Sequence, residues 1–228
     1  MALVRRKRPD GETDAITANR GLDVLANELW HAEPGVRRAA VRDLAALPVT
    51  APEAAAEIAG GGDASRGNPR KVAIMLCDRL DVETSPSVRS AIMTSLIAIG
   101  TPEVAARLTD HLHSEDTQLR NAAIEALQEM PDAVVPLMER LLADEDSDVR
   151  IFAVNILSVL QHQQAAVWLV GVIRTDPHIN VCTAALDGLV EVGATGMISD
   201  IEHLATRFPE NPFMRFAADT AIRRIRGA

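Results

Sequence analysis

Apolar residues recur every three or four positions along most of the chain, which is the spacing of amphipathic α-helices. Leu22, Leu25 and Leu29 begin the pattern, and it predicts a first helix from Thr17 and a second helix over 36–47. From Lys71 onward, helices and turn sequences alternate regularly. The predicted first helices of the later pairs lie at about 71–82, 102–113, 132–143, 163–174 and 196–207. Their second helices lie at about 86–99, 117–130, 147–160, 178–192 and 211–226. The chain is therefore predicted to form six helix pairs.

A short motif near the start of each second helix marks the pairs as repeats. An apolar residue followed by arginine occurs at Val36-Arg37, Val88-Arg89, Leu119-Arg120, Val149-Arg150 and Met214-Arg215, and Val181-Cys182 stands where a further copy is expected. We call the second residue of each copy the anchor. From residue 89 on, successive anchors are separated by 31, 30, 32 and 33 residues. Such a near-constant spacing predicts a stack of similar units, each of which buries its apolar face against its neighbours.

Positions counted from the anchor have distinct predicted roles. Small residues two and three positions later allow close approach of helices, and one large apolar residue stands seven positions later. These large residues are Leu44, Leu96, Leu127, Leu157, Leu189 and Ile222. Because they share one helix face, we expect them to form a column in the core.

The recurrence Val-Arg-x-x-Ala-x-x-x-Leu resembles the HEAT-like repeats found in phycobilisome lyases and in many bacterial scaffold proteins. The resemblance covers about residues 17 to 226. It implies an all-α fold, a right-handed α-solenoid whose second helices line the concave side and whose first helices line the convex side. Function on such a scaffold depends on what its surface displays.

The domain organisation predicted from these patterns is a tail followed by one solenoid. Residues 1–16 are polar and basic and are expected to be disordered, and residues 17–228 form the repeats. An insertion after the first pair, at about 48–69, contains a short predicted helix at 51–59 and a glycine-rich loop. The loop lacks the Lys-Ser or Lys-Thr ending of a phosphate-binding loop, so a flexible surface loop is expected.

Charge limits the partners that this surface can bind. The net charge is −9, and residues 101–210 hold 18 Asp or Glu against six Arg. A phosphate backbone would be repelled there, so the predicted partner is another protein with a basic patch, and nucleic acid is not expected on the solenoid body. No apolar stretch reaches the roughly 20 residues of a membrane span, and no apolar signal core follows the basic start. A cytoplasmic location is predicted.

Residues one and five positions after each anchor should leave the core and form two exposed rows, here called the docking rows. The first row is Arg38, Ser90, Asn121, Ile151, Thr183 and Phe216. The second row is Arg42, Thr94, Glu125, Asn155, Asp187 and Thr220. The protein-binding residues predicted from these rows are Arg38, Arg42, Thr94, Asn121, Glu125, Ile151, Asn155, Asp187 and Phe216.

The anchor arginines are expected to bind carbonyl groups or acids of the adjacent turn. Asp116, Asp146 and Asp148 are close enough in sequence to serve. The arginine side chain carries several donors in a fixed fork, so a ladder between repeats is the favoured interpretation, and ligand binding by these arginines is the alternative.

Catalytic and metal-binding patterns are not found in the sequence. His111 and His113 are two positions apart and would point about 200° away from each other on a helix, so no metal site is predicted. Cys77 and Cys182 lie in apolar helical stretches and are expected to be buried free thiols. The sequence therefore predicts a non-enzymatic scaffold or adaptor that has no cofactor and is not expected to bind a small molecule.

Two alternatives remain open. The resemblance to phycobilisome lyases implies a bilin lyase-like activity or a chromophore-handling chaperone. Separately, the basic tail at Arg5, Arg6, Lys7 and Arg8 has enough charge for weak, salt-sensitive contact with nucleic acid or lipid.

Overall fold

The computed structural model describes residues 21–47, 68–160, 162–192 and 195–227, and every regular element in these ranges is a helix. The predictions for the tail, the short helix at 51–59 and most of the glycine-rich loop fall outside the described residues. The chain divides into a unit that ends at Ile99 and a unit that begins at Gly100. Each unit consists of helix pairs, so the predicted all-α repeat fold of the solenoid class is confirmed.

The first unit contains two described helix pairs. They are α1 (Leu22–Glu28) with α2 (Pro34–Ala45), and α3 (Pro69–Leu80) with α4 (Pro86–Ile99). Proline occupies the first position of α2, α3 and α4, where its missing N–H would have no helical partner and its fixed φ suits the helix. The two second helices, α2 and α4, pack against each other.

The second unit contains four pairs. They are α5 (Pro102–Asp110) with α6 (Thr117–Gln128), α7 (Pro131–Val134) and α8 (Met138–Leu142) with α9 (Ser147–Val159), α10 (Ala165–Thr175) with α11 (Ile179–Glu191), and α12 (Ile198–Arg207) with α13 (Pro212–Arg226). Successive second helices, α6, α9, α11 and α13, lie directly against one another.

The helix predicted over 132–143 is interrupted, which corrects the sequence-based prediction. A 3-10 turn at Val135–Leu137 separates α7 from α8. Pro136 stands inside this turn, where it cannot donate a backbone hydrogen bond and its ring disfavours a continuous α-helix. The other predicted first helices of the second unit agree with the structure to within a few residues.

The predicted burial of the large residue seven positions after each anchor is confirmed. Leu96, Leu127, Leu157 and Leu189 are fully buried, and Leu44 and Ile222 are also in the core. The residue three positions after each anchor is buried as well, and it is alanine in all pairs but one. Those residues are Ala40, Ile92, Ala123, Ala153, Ala185 and Ala218. Burying one large and one small side chain per pair is what lets neighbouring helices interdigitate without voids. Cys77 and Cys182 are buried thiols and are not joined in a disulfide, as predicted.

Candidate protein-binding surface

The anchor arginines hold the turn between the two helices of a pair. Arg37, Arg89, Arg120 and Arg150 each donate a hydrogen bond to the backbone carbonyl six residues earlier. In the α8–α9 pair, Arg150 Nη1 lies 2.9 Å from the carbonyl oxygen of Asp144. The prediction that these arginines bind carbonyl groups of the adjacent turn is confirmed. Their bonds also give partners to carbonyl groups in the turns, outside the helices, where a backbone acceptor has no helical hydrogen bond.

Two of these arginines also bind an acid of the following pair. Arg37 donates from Nε and Nη2 to the two carboxylate oxygens of Glu83, at 2.7 and 2.8 Å. Arg150 donates to both carboxylate oxygens of Asp176, at 2.7 and 3.2 Å. Such two-point pairing fixes the orientation of one pair against the next.

Asp116 and Asp146, which the sequence proposed as partners of the arginines, act as helix caps, and Asp148 is exposed. Asp116 accepts from the amides of Gln118 and Leu119, and Asp146 accepts from the amide of Asp148, so both aspartates cap the second helix that follows them.

A column of turn residues was missed from the sequence. The side chain six positions before each of five anchors accepts a hydrogen bond from the backbone amide two residues later. The accepting residues are His31, Glu83, Ser114, Asp144 and Asp176. In each case the side chain accepts the hydrogen bond that a backbone carbonyl group would accept in an ordinary turn. The signal in the sequence was a polar acceptor at a constant offset from the anchor.

Glu83 is the most strongly held carboxylate of this column. Its burial acts to raise its pKa, but hydrogen bonds from Arg37, the Ser85 amide and Arg79, together with the charge of Arg79, outweigh burial and hold the pKa at about 2. Arg79 in turn lies over the ring of Trp30, 5.0 Å from its centroid. Glu83 therefore remains ionised and acts as a structural link between α2, α3 and the start of α4.

The predicted site residues lie largely where the docking rows place them. In the first unit Arg38, Arg42 and Thr94 are exposed. In the second unit Ile151 is half-buried, and the remaining predicted site residues are exposed, namely Asn121, Glu125, Asn155, Asp187 and Phe216. Exposure makes these side chains accessible to a partner without showing that a partner binds there.

The exposed side of α6, α9 and α11 is acidic. The exposed charged residues on these helices are all carboxylates, namely Glu125, Asp148, Asp187 and Glu191, and exposed Glu129 directly follows α6. The basic residues on these three helices, Arg120 and Arg150, are half-buried at the anchor positions and bind the turns. This side of the second unit therefore presents one sign of charge across three adjacent helices.

The last helix pair differs from the others at its turn. Phe213 and Phe216 of α13 are 58% and 63% exposed, although aromatic residues are rare in this chain. A hollow of about 380 Å³ next to Phe216 is lined by Pro209, Glu210, Pro212, Arg215, Phe216 and Asp219. A second hollow of about 560 Å³, which also has Pro209 in its lining, is lined by residues that include His178, Arg207 and Phe208. An exposed aromatic residue beside a hollow is a common arrangement at binding surfaces.

No helix of the described residues is long and apolar enough to cross a membrane. Nor do the described residues bring three His, Cys, Asp or Glu side chains together in a way that could hold a metal ion. His113, considered above as a metal ligand, instead lies 3.3 Å from a carboxylate oxygen of Asp144.

Comparison with known proteins gives a family match for part of the chain. Residues 22–128 match the family of HEAT repeats. No curated protein matches the sequence.

Solved structures similar to this chain include several repeat proteins of low sequence identity. An engineered protein is 18% identical over 89% of this chain and 95% of its own, with a TM-score of 0.39. A designed armadillo repeat protein is 15% identical over 88% of this chain and 98% of its own, also with a TM-score of 0.39. The complex of CpcE and CpcF of phycocyanin lyase from a Nostoc species is 17% identical over 98% of this chain and 100% of that chain, with a TM-score of 0.31.

The resemblance seen in the sequence is therefore confirmed by the family match. The anchor positions, the core column and the turn contacts continue after residue 128 with the same spacing. The match to the family of HEAT repeats covers residues 22–128, and the anchor spacing and buried positions of that segment recur in the helix pairs that follow.

Proposed function

We propose that this chain is a non-enzymatic scaffold that binds a basic surface of another protein through the docking rows of α6, α9 and α11. Stacked repeats offer extended surfaces of this kind, and binding is a common use of them. The observation that carries the proposal is the set of free carboxylates on this surface. Glu125 and Asp187 are exposed, and their carboxylates make no hydrogen bond or ion pair with the residues that the structure describes.

The arrangement of these carboxylates favours a protein as the partner. Helices that pack against each other lie about 8–10 Å apart, so Glu125 on α6 and Asp187 on α11 are roughly 16–20 Å apart across the rows. A small molecule of ordinary size would not contact both, whereas a peptide segment or a helix of a partner would. Polar Asn121 and Asn155 and the half-buried Ile151 lie between the charges and supply contacts of shorter range.

The charge predicts how the partner binds. Lysine and arginine side chains of the partner would be attracted over distances comparable to the Debye length, about 8 Å at physiological salt. Complementary charge of this kind mainly increases the association rate and fixes orientation, while the uncharged contacts determine much of the affinity. Binding should therefore weaken as salt rises without vanishing.

The test is quantitative affinity capture with the full-length chain from native lysate, at about 50 and 300 mM salt, with the captured proteins identified by mass spectrometry. The variant is Glu125→Lys with Asp187→Lys, which changes the net charge by four. The matched control is Asp132→Lys with Glu139→Lys, which makes the same change at exposed positions of the first helices α7 and α8.

We expect the wild type and the control to retain one or a few basic proteins at low salt. The variant should lose these proteins. Equal loss in the variant and the control would show that only net charge matters and would contradict a defined surface. Retention of the same proteins by all three chains would contradict it as well. The Asn155→Arg, Ile151→Asp variant then tests the uncharged part of the same rows.

A further inference from the structure

The docking rows change their chemistry from one end of the second unit to the other. At the position two residues before the anchor and the position one residue after it, α6 has Gln118 and Asn121, α9 has Asp148 and Ile151, and α11 has Asn180 and Thr183. At the same two positions α13 has Phe213 and Phe216. Since α13 packs directly against α11, Phe216 continues the first docking row, and Phe213 lies three residues before it on the same helix face. The surface is thus mainly polar and acidic over α6, α9 and α11, where the half-buried Ile151 is the apolar exception, and it is apolar at α13.

The apolar end also has a concave feature. Phe216 forms one wall of the hollow of about 380 Å³, and Pro209 and Pro212 contribute further apolar surface. A hollow of this size is at the lower end of the range for ligand pockets, which suits one large apolar side chain better than an extended segment. Aromatic residues that surround such a hollow commonly supply much of the energy of an interface.

Charge at α13 opposes a basic partner at this end. Arg215 and Arg223 are exposed on α13, and Arg224 lies 3.3 Å from the carboxylate of Glu191. Asp219 is the one exposed acid of this helix. Positive groups of a partner would therefore be repelled from most of α13 and attracted to α6, α9 and α11.

We infer that the partner segment is bipartite, with a basic stretch that lies over α6, α9 and α11 and a large apolar side chain that enters the hollow beside Phe216. This inference rests on the proposed function and names the chemistry of the partner at that same surface. From α13 the carboxylates of α11, α9 and α6 lie one to three helix spacings away, or roughly 10–30 Å. At about 3.3 Å per residue, an extended segment places its basic residues roughly three to nine positions from its apolar residue.

The test uses two synthetic peptides and the full-length chain, with binding followed by fluorescence anisotropy. The first peptide is Leu-Phe-Gly-Ser-Gly-Lys-Arg-Lys-Arg-Lys, which follows the inferred pattern, and the second replaces Leu-Phe with Ser-Ser. The first peptide should bind about tenfold more tightly, the effect of truncating one well-buried interface side chain. Both should weaken several-fold between 50 and 300 mM salt.

Variants of the chain separate the two parts of the surface. Phe216→Ser should weaken the first peptide about tenfold and leave the second unchanged. Val167→Ser, at an equally exposed apolar residue of α10, is the matched control and should change neither. Asp187→Lys should weaken both peptides, and Glu139→Lys should weaken both much less.

The outcomes distinguish this inference from the proposed function. If both peptides bind equally and Asp187→Lys weakens both, the acidic surface is supported and the apolar site beside Phe216 is overturned. If neither peptide binds, or if Asp187→Lys and Glu139→Lys act alike, the bipartite inference fails together with the acidic surface on which it rests. If sedimentation shows that the chain self-associates and that Phe216→Ser abolishes the association, the aromatic end joins two copies and the inference is overturned.

Discussion

The guanidinium group of Arg207 occupies the position next to Cys182 that an anchor arginine fills in other helix pairs. Its Nη2 donates to the carbonyl of Asp176 at 2.7 Å, and its Nη1 lies 3.7 Å from the sulfur of Cys182. Asp176 stands six residues before Cys182, so its carbonyl is the one that an arginine at position 182 would bind. Arg207 also donates to the carbonyl of Ile173. An arginine from α12 thus replaces the missing anchor of the α10–α11 pair.

Because Arg207 replaces an anchor arginine, we expect it to contribute about as much to the stability of the fold as an anchor arginine does. Arg207→Ala would leave the carbonyls of Asp176 and Ile173 without this donor, and hydrogen bonds to charged groups contribute about 1.5–3 kcal/mol. We expect the free energy of unfolding, measured by urea denaturation, to fall by about 2 kcal/mol. Exposed Arg223, which donates only to Thr220 of its own helix, is the control, and Arg223→Ala should cost less than about 0.5 kcal/mol.

Restoring the anchor in its usual position gives a sharper test. In the wild type, Cys182→Arg should destabilise the chain, because the new side chain would compete with Arg207 for one carbonyl and place two cations together in a buried site. In the Arg207→Ala variant the same substitution should recover part of the lost stability. The two changes should therefore be non-additive by at least about 1 kcal/mol, and additive effects would contradict the replacement.

The pKa of Glu83 predicts a loss of stability in acid. Its pKa is about 2 in the folded chain and has an ordinary value of 4.5. Because the folded pKa is the lower one, the stabilisation is complete above pH about 4.5 and is lost as the pH falls toward about 2. The contribution is on the order of 3 kcal/mol.

Glu83→Gln should lower the free energy of unfolding at neutral pH and flatten its pH dependence between pH about 5 and about 2. The comparison is made by urea denaturation at a series of pH values, with exposed Glu139→Gln as the control. A curve for Glu83→Gln that keeps the slope of the wild type would show that other carboxylates account for the acid sensitivity.

The helix positions and the core were predictable because they follow from spacing alone. Leu127 and Leu157 are buried since both stand seven residues after an anchor, and this offset fixes the helix face whatever lies opposite. The partners of the arginines were not predictable in the same way. Arg150 binds Asp176, 26 residues later, because the next pair brings that turn within reach. Such a distance depends on how pairs pack, and the sequence specifies it only indirectly.

The candidate surface was also predictable from the sequence only in part. The exposure of Asn155 and Asp187 followed from their offsets, and the aromatic character of Phe216 was visible in the sequence. The hollow beside Phe216 was not, because its walls come from Pro209 and Pro212 in the turn before α13 as well as from the helix itself. The replacement of an anchor by Arg207 was also hidden, since nothing in the spacing links residue 207 to residue 182.

Gly188 lies where α11 closely approaches α9 and α10. A methyl group added at this position would overlap the hydroxyl oxygen of Ser158 and lie 3.1 Å from a methyl carbon of Leu169. Alanine favours a helix over glycine by about 1 kcal/mol, but we expect the overlap to outweigh this gain and Gly188→Ala to lower the free energy of unfolding by about 1 kcal/mol.

Ser158→Ala provides the matched test of that contact, since it removes the overlapping hydroxyl. In the Ser158→Ala background, Gly188→Ala should be less destabilising than in the wild type, as measured by thermal and urea denaturation. Gly171, which has open space where its side chain would be, is the control, and Gly171→Ala should stabilise α10 by up to about 1 kcal/mol. Equal effects at both glycines would mean that α9 does not approach α11 as closely as described.

Burial, rather than the presence of an ion pair, should decide which arginine matters most for stability. Arg150 and Arg174 both lie in the second unit and both bind an aspartate 26 residues later, Asp176 and Asp200. The side chains of Arg150 and Asp176 are 12% and 6% exposed, whereas those of Arg174 and Asp200 are 59% and 15% exposed. Removing one partner of a buried pair leaves an uncompensated charge and typically costs about 3–5 kcal/mol, whereas an exposed pair contributes about 0–1 kcal/mol.

We therefore expect Arg150→Ala to lower the free energy of unfolding by at least about 3 kcal/mol and Arg174→Ala to lower it much less, both measured by urea denaturation. Arg150 also donates to the carbonyls of Asp144 and Glu145, so Arg150→Ala removes these turn contacts together with the ion pair. Asp176→Asn is needed to measure the contribution of the ion pair alone. That variant keeps the shape of the side chain and removes its charge, and it should cost less than Arg150→Ala. Equal losses for Arg150→Ala and Arg174→Ala would contradict the link between α9 and the turn at Asp176, because an exposed pair cannot supply a structural contribution of that size.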